Sequence, residues 1–142
     1  FAGVHGFVML IQFLAIQHAA AHGFDHPEIT ARIAARYSRR MDDLVKVLGT
    51  AGFQPRKPKG SFFLYVKAPK AAVSPAGARV EFQTAEEASQ WLITEKLIST
   101  VPWDDAGAYL RFSVTFAARD RADEDRIFHE MARRLGEGQF EF

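Results

Sequence analysis

The sequence of 142 residues contains no cysteine. This absence excludes a disulfide framework and a metal site built on thiolates, and it fits a reducing compartment, so we expect the cytoplasm. The chain also lacks an excess of charge of either sign, since it contains 18 Lys and Arg and 17 Asp and Glu. This balance provides no general electrostatic field for nucleic acid or for an anionic membrane, and we expect neither as a partner.

Basic residues are missing from the N-terminal part of the chain, where no Lys or Arg precedes Arg32. The apolar run from Gly6 to Ile16 therefore lacks the basic start of a signal peptide, and it is shorter than the ~20 residues that cross a bilayer. Its pattern predicts a helix from Phe7 to about His22, ended by Gly23, that is buried on several sides. We therefore expect residues 1–24 to be an apolar helix that begins inside a longer protein.

Hydrophobic residues make up 48% of the chain and include 13 Phe, which predicts one well-filled core. The periodicity and the turn residues predict alternating helices and short strands. In chain order they are a helix over 25–48, strands over 62–66 and 79–82, a helix over 84–97, strands over 98–101 and 109–116, and a helix after Asp120. This order predicts a two-layer α+β domain over residues 25–142, with helices packed on a small, mostly antiparallel sheet.

Arg111 is the most informative residue of the strand over 109–116. Side chains alternate along a strand, so Tyr109, Arg111, Ser113 and Thr115 share one face while apolar residues share the other. A guanidinium at the centre of a face lined with hydroxyls can bind a carboxylate through two parallel hydrogen bonds. The alternative is an arginine that reaches solvent or pairs with a structural acid.

Two further positions have a chemical and a structural interpretation. Asp104 and Asp105 are adjacent carboxylates that could share a proton or bind a metal, but a polar turn or a helix cap is the favoured interpretation. Gly60 directly precedes a strand, where it either permits close approach of a ligand to the backbone or forms a tight loop exit.

His18, His22 and His26 repeat every four residues, a spacing that can place metal ligands on one helix face. The glutamate of zinc-peptidase motifs is missing between them, since Ala19 to Ala21 fill that interval. We therefore expect no metal site and interpret the three residues as a histidine cluster at a surface or an interface.

Seven basic residues form a separate group that is typical either of an RNA-binding module or of a solvated helix face. They are Arg32, Arg36, Arg39, Arg40, Arg56, Lys57 and Lys59. Asp42 and Asp43 interrupt this group, and the strand over 62–66 lacks the glycine and aromatic pattern of nucleic-acid binders. The solvated face is therefore favoured.

Two stretches of the chain resemble the C-terminal small domain of class I/II, fold type I aminotransferases that depend on pyridoxal phosphate. The first runs from Lys59 to Val66 (Lys-Gly-Ser-Phe-Phe-Leu-Tyr-Val) and resembles a strand that opens with glycine and two bulky residues. The second, from Glu95 to Phe116, resembles a short strand, a proline turn and a later strand with an arginine. The segments 15–17 and 26–28 also fit the helix pair of that family.

The resemblance implies that Arg111 binds the α-carboxylate of the substrate, and that Phe62 and Trp103 line the wall of the pocket. It also implies pyridoxal phosphate as the cofactor, an amino acid and a 2-oxo acid as substrates, and a homodimer. The Schiff-base lysine of the family would lie upstream, because none of the six lysines here follows a serine. We therefore expect no catalytic residue within this chain, no activity of the chain alone, and the apolar helix as part of a linker to a large domain.

Within the family, the sequence looks closest to diaminopimelate aminotransferases, which implies a role in amino acid biosynthesis. The competing interpretation is a non-enzymatic α+β module that binds RNA or a protein partner.

Overall fold

The computed structural model describes residues 13–142, and it divides the chain into two compact units, one ending at Arg36 and one from Tyr37 to Phe142. Its four helices are α1 Leu14–Asp25, α2 Pro27–Thr50, α3 Ala85–Lys96 and α4 Arg121–Gly136. Its six strands are β1 Phe63–Lys67, β2 Ala71–Val73, β3 Arg79–Glu81, β4 Val101–Trp103, β5 Tyr109–Ser113 and β6 Gln139–Glu141. The expected domain boundary at residue 24 stays a prediction.

The strands of the second unit form two small antiparallel sheets. The first has the order β1-β5-β4, and the second has the order β3-β2-β6. The predicted α+β class, with helices on small antiparallel sheets, is confirmed. We expected a single sheet, whereas the structure has two. The second sheet was not predicted because β2 and β6 lie in segments whose sequences carry no strand pattern.

One face of the first sheet packs against helices and forms the core of the second unit. From the sheet, Leu64, Val66, Leu110 and Phe112 are buried. From the helices, the core contains Met41, Leu44 and Leu48 of α2, Leu92 of α3, and Phe128 and Leu135 of α4. The opposite face of the sheet is left open within this unit.

The helix ends follow local capping chemistry. The Thr84 hydroxyl accepts a hydrogen bond from the Glu87 backbone N–H at 3.1 Å, and the Glu87 carboxylate accepts one from the Gln83 N–H at 2.6 Å, so the two side chains together cap the start of α3. Asp120 caps α4 in the same way, through the N–H of Asp123 at 2.9 Å. At the C-terminus of α2, Gly52 adopts φ +92°, and the Phe53 N–H closes the helix on the Leu48 carbonyl at 3.0 Å.

Several predicted boundaries are wrong, and two of them have a clear physical reason. Helix α1 continues through Gly23 to Asp25, since a single glycine weakens a helix without breaking it. The strand predicted over 98–101 begins at Val101, because Leu97 turns into the left-handed region with φ 53° and its successor still bonds back to α3. The part of the predicted apolar helix before residue 13 lies outside the described residues.

None of the helices within residues 13–142 combines the length and the apolar character that a membrane crossing needs.

Candidate functional site: the open face of the first sheet

The open face of the first sheet carries a cation among aromatic and hydroxyl side chains, and we call it the Arg111 face. Strand β5 is central, with Arg111 paired to Tyr65 of β1 on one side and to Val101 of β4 on the other. Residues directly opposite in antiparallel strands point to the same side of the sheet. The Arg111 face therefore consists of Phe63, Tyr65, Lys67, Val101, Trp103, Tyr109, Arg111 and Ser113.

Arg111 lies half-buried at the centre of this face, with its guanidinium over an aromatic ring. The guanidinium carbon is 4.4 Å from the centroid of the Phe63 ring. No Asp or Glu among residues 13–142 forms an ion pair with Arg111, in contrast to the many arginines of the second unit that do pair. The structural alternative of an arginine held by an acid of its own domain is therefore wrong within the described residues. The ring orients the cation and leaves its N–H groups available for an anion.

The hydroxyl groups predicted beside Arg111 are present. Tyr109 and Ser113 share its face, and the Ser113 hydroxyl lies 2.8 Å from the Thr115 hydroxyl just beyond the strand. On the opposite face of β5, Leu110, Phe112 and Val114 are buried, as the alternating pattern predicted.

Trp103 lies on the Arg111 face, and its ring approaches Tyr65 from the other outer strand. The two ring centroids are 6.2 Å apart, with the ring planes at 90°. Because β1 and β4 flank β5, the two rings lean toward each other across the central strand. Tyr65 was missed from the sequence, although its alternation with buried Leu64 and Val66 already placed it on the open side.

Phe62 precedes β1 and reaches the site through its neighbour. Its ring centroid is 4.6 Å from that of Phe63 and 5.8 Å from that of Tyr37 in α2. Phe62 is therefore one residue removed from Arg111, with Phe63 between them. The structure brings Arg111 and Trp103 onto one face and connects Phe62 to it indirectly.

Asp104 is a helix cap, as the favoured interpretation predicted. Its carboxylate oxygens accept hydrogen bonds from the backbone N–H groups of Ala85 at 2.8 Å and Glu86 at 3.3 Å, at the N-terminus of α3. Asp105 instead pairs through its backbone with Gly107 in a tight turn. The two carboxylates therefore do not act as a pair.

Gly60 has no left-handed backbone, and a Cβ at this position would meet open space. The neighbouring Ser61 takes the unusual conformation, with φ 87°, and its hydroxyl accepts a hydrogen bond from the Phe63 N–H at 3.0 Å. The turn before β1 is therefore fixed by Ser61, and the loop-exit interpretation of Gly60 fits.

The histidines form a contact pair and not a group of three. The ring centroids of His22 and His26 are 4.1 Å apart. Among residues 13–142, no three His, Cys, Asp or Glu side chains come close enough together to hold a metal ion.

The prediction that all seven basic residues form a solvated face is wrong for Arg40. Its side chain is buried, and Nε donates to Glu124 Oε1 at 2.8 Å while Nη1 donates to the carbonyl oxygens of Val114 at 3.0 Å and Phe116 at 2.8 Å. The sequence signal of its burial is the spacing to Tyr37 and Leu44, three residues before and four residues after it, which places all three on one side of the helix.

Comparisons with known proteins found two similar sequences. The chain is 47% identical over 139 residues to an LL-diaminopimelate aminotransferase of Methanocaldococcus jannaschii, covering 92% of the chain and 32% of that protein. An enzyme of the same name from Methanococcus maripaludis is 48% identical over 136 residues, with the same two coverages. The chain thus spans about a third of the length of these relatives and corresponds to their C-terminal part. The chain is therefore similar to the C-terminal part of aminotransferases.

Solved structures agree with this assignment of the fold. An aminotransferase from Staphylococcus aureus matches 89% of this chain and 31% of its own chain, with a TM-score of 0.64 and 19% identity. An aspartate aminotransferase from Rhizobium meliloti matches 74% of this chain and 26% of its own chain, with a TM-score of 0.56 and 20% identity. A scan against protein-family models found no match.

The second unit does not by itself fit pyridoxal phosphate, the cofactor that the resemblance implies. Helix N-termini are the usual phosphate sites, but those of α3 and α4 are already satisfied by Asp104 and Asp120. The ammonium groups of Lys57 and Lys96 are bound to Asp42 and to the Glu137 carbonyl oxygen. These helix ends and ammonium groups are therefore already occupied, whereas Arg111 has no acidic partner among the described residues.

Proposed function

We propose that this chain is the part of a pyridoxal-phosphate-dependent aminotransferase that binds the carboxylate of the substrate, and that Arg111 is the binding residue. The whole protein would transfer an amino group from an amino acid to a 2-oxo acid, with the cofactor held by other residues. The names of the two archaeal relatives support LL-diaminopimelate as the amino donor.

The single observation that carries the proposal is the state of Arg111. Its guanidinium is half-buried, lies 4.4 Å from the Phe63 ring centroid, and has no acidic partner among the described residues. No carboxylate of the described residues neutralises the positive charge of Arg111. A planar carboxylate is the group whose two oxygens match the two parallel N–H groups of a guanidinium. The hydroxyls of Tyr109 and Ser113 on the same face add donors at the edge of such a site.

Binding at this position would orient the substrate. A carboxylate fixed by two bonds loses its freedom to rotate, so the bond to be broken at the α-carbon is held in one direction relative to the cofactor. We propose that Trp103 and Phe62 form the wall beside the substrate, with Tyr65 completing the wall opposite Trp103. Aromatic rings provide such a wall with large apolar area and little flexibility.

The assembly is part of the same proposal. Large apolar residues of α1 and the residue directly before it are exposed, and they are Phe13, Leu14, Ile16 and Phe24. A helix with this composition fits a place against a second copy of the protein or against a large domain. We propose a homodimer in the cytoplasm in which residues 1–24 belong to the link with the large domain, and we expect the isolated chain to be inactive.

The test uses Arg111→Lys in the longest natural form of the protein, with LL-diaminopimelate and 2-oxoglutarate as probes. Lysine keeps the positive charge but cannot form two parallel hydrogen bonds to one carboxylate. Binding of the transition state should therefore weaken by about 2–3 kcal/mol, which lowers kcat/KM for the amino acid roughly 30- to 150-fold. Lys67→Gln removes another cation from the Arg111 face and serves as the control, with kcat/KM expected within about threefold of the unaltered protein. A change of less than about threefold in Arg111→Lys would show that another group binds the carboxylate.

A further inference from the structure

Arg40 of α2 holds the point where β5 leaves the sheet. Beyond Ser113, the last ladder bond runs from the Val114 N–H to the Phe62 carbonyl at 3.1 Å. The carbonyl groups of Val114 and Phe116 then both accept hydrogen bonds from Nη1 of Arg40, at 3.0 and 2.8 Å. The guanidinium carbon also lies 4.3 Å from the centroid of the Phe116 ring. One buried side chain thus binds two of the three residues that follow the strand carrying Arg111.

Glu124 of α4 fixes Arg40 in turn. It is buried and accepts hydrogen bonds from Arg40 at 2.8 Å, from Arg39 at 3.0 Å and from Arg121 at 3.3 Å. Arg121 is itself bound to Asp43 of α2 at 2.7 Å. Helix α2, helix α4 and the end of β5 are therefore joined by one network of charged hydrogen bonds, which gives Arg40 a single orientation.

The same turn of α2 also reaches the other side of the Arg111 site. Tyr37 lies three residues before Arg40, a spacing that places both on one face of the helix. Its ring contacts Phe62 at 5.8 Å, Phe62 contacts Phe63 at 4.6 Å, and Arg111 lies over Phe63 at 4.4 Å. One helical turn therefore contacts the backbone beyond Arg111 and, through two rings, the platform beneath it.

We propose that Arg40 is a positioning residue for Arg111. By holding the exit of β5 against α2 and α4, it sets the direction in which the Arg111 guanidinium leaves the sheet. This inference rests on the proposed role of Arg111 in carboxylate binding. A shift of ~1 Å in a binding group is enough to cost up to about a hundredfold in rate, so a buried arginine remote from the substrate can control binding.

Arg40→Lys tests the proposal, with Arg39→Lys as a matched control. Both arginines donate to Glu124, but only Arg40 reaches the two carbonyl groups after β5. Lysine at position 40 keeps the charge, yet its single nitrogen is not a planar fork that binds the acid and both carbonyls together. The readouts are KM and kcat for LL-diaminopimelate in the longest natural form of the protein, below the unfolding temperature of every variant.

We expect KM to rise about tenfold in Arg40→Lys, with kcat within about threefold, and to stay unchanged in Arg39→Lys. Equal KM values in Arg40→Lys and Arg39→Lys, together with a raised KM in Arg111→Lys, would overturn the positioning role alone. An unchanged KM in Arg111→Lys would instead overturn the proposed function and the positioning role with it.

Glu124→Gln provides a second variant if Arg40→Lys does not fold. Glutamine still accepts one bond from Arg40 but no longer fixes it by charge, so KM should rise by about threefold. Asp125→Asn on the same helix is the control, since Asp125 is exposed and its carboxylate is bound to Arg121 and not to Arg40. Equal KM values in these two variants would contradict the proposal.

Discussion

The guanidinium carbon of Arg111 lies 4.4 Å from the centroid of the Phe63 ring, which belongs to the neighbouring strand on the same face of the sheet. Phe63 pairs directly with Ser113, two residues beyond Arg111, so the contact is diagonal across the two strands. The ring supports the cation from below without neutralising its charge. Arg111 is thereby oriented and still able to bind an anion.

Phe63→Leu should loosen Arg111 and weaken carboxylate binding. The loss of a cation–π contact is worth about 0.5–2 kcal/mol, so we expect KM for the amino acid to rise roughly two- to thirtyfold while kcat changes less. Steady-state kinetics in the longest natural form of the protein measure this split. Val80→Leu, on a strand of the other sheet, is the control, and an equal KM in both variants would show that the ring does not orient Arg111.

Glu124 should make the stability of the second unit depend on acid pH. Burial alone raises the pKa of its carboxyl, but hydrogen bonds from Arg40 and Arg39 outweigh that effect and lower the pKa from 4.5 to about 2. A carboxyl whose pKa is lower in the folded chain contributes stability above the unfolded pKa of 4.5, and this contribution is lost as the pH falls toward 2.

The measurement is the free energy of unfolding by urea at several pH values for the unaltered protein and for Glu124→Gln. The difference between the two should be largest at neutral pH and should shrink between pH 4.5 and about 2. Asp125→Asn, whose carboxyl is exposed, is the control. A difference that stays constant over this range would show that the Glu124 carboxylate contributes no pH-dependent stability.

Asp104→Ala should destabilise the protein, whereas Asp105→Ala should not. Asp104 accepts hydrogen bonds from two N–H groups at the start of α3, and the loss of such a cap costs about 1 kcal/mol. Asp105 is exposed and bonds to no helix end. Urea unfolding of both variants decides the matter, and equal stabilities would mean that Thr84 alone is sufficient to cap α3.

Two glycines near the end of α2 should respond to alanine in opposite directions. Gly49 lies in the helix with open space around its Cβ position, so Gly49→Ala should stabilise by about 0.5–1 kcal/mol. Gly52 has φ +92°, so Gly52→Ala should destabilise by about 1 kcal/mol or more. Thermal unfolding measures both, and a stabilising Gly52→Ala would show that the helix end can adopt another conformation.

The site could be predicted from the sequence where a local pattern determines the structure. Alternation along β5 placed Arg111 opposite buried Leu110 and Phe112, and the capping residues Thr84 and Asp120 located two helix starts. These features depend on neighbours within a few residues.

The remainder depends on contacts between distant parts of the chain. From its sequence neighbours alone, Arg40 is predicted to be one of several exposed cations. Its burial depends on Glu124, which is 84 residues away along the chain and accepts a hydrogen bond from it. Strand β2 likewise reads as a small-residue loop, since Ala71 and Ala72 gain their strand conformation by pairing with β3 and β6. A local pattern carries no information about such partners.

The most direct test of the central claim is a crystal structure of the longest natural form of the protein with LL-diaminopimelate bound. We expect two Arg111 guanidinium nitrogens within about 3.2 Å of the two oxygens of one substrate carboxylate, with Phe63 still beneath the cation. A substrate whose carboxylates are all held by other cations, with Arg111 facing solvent, would contradict the claim.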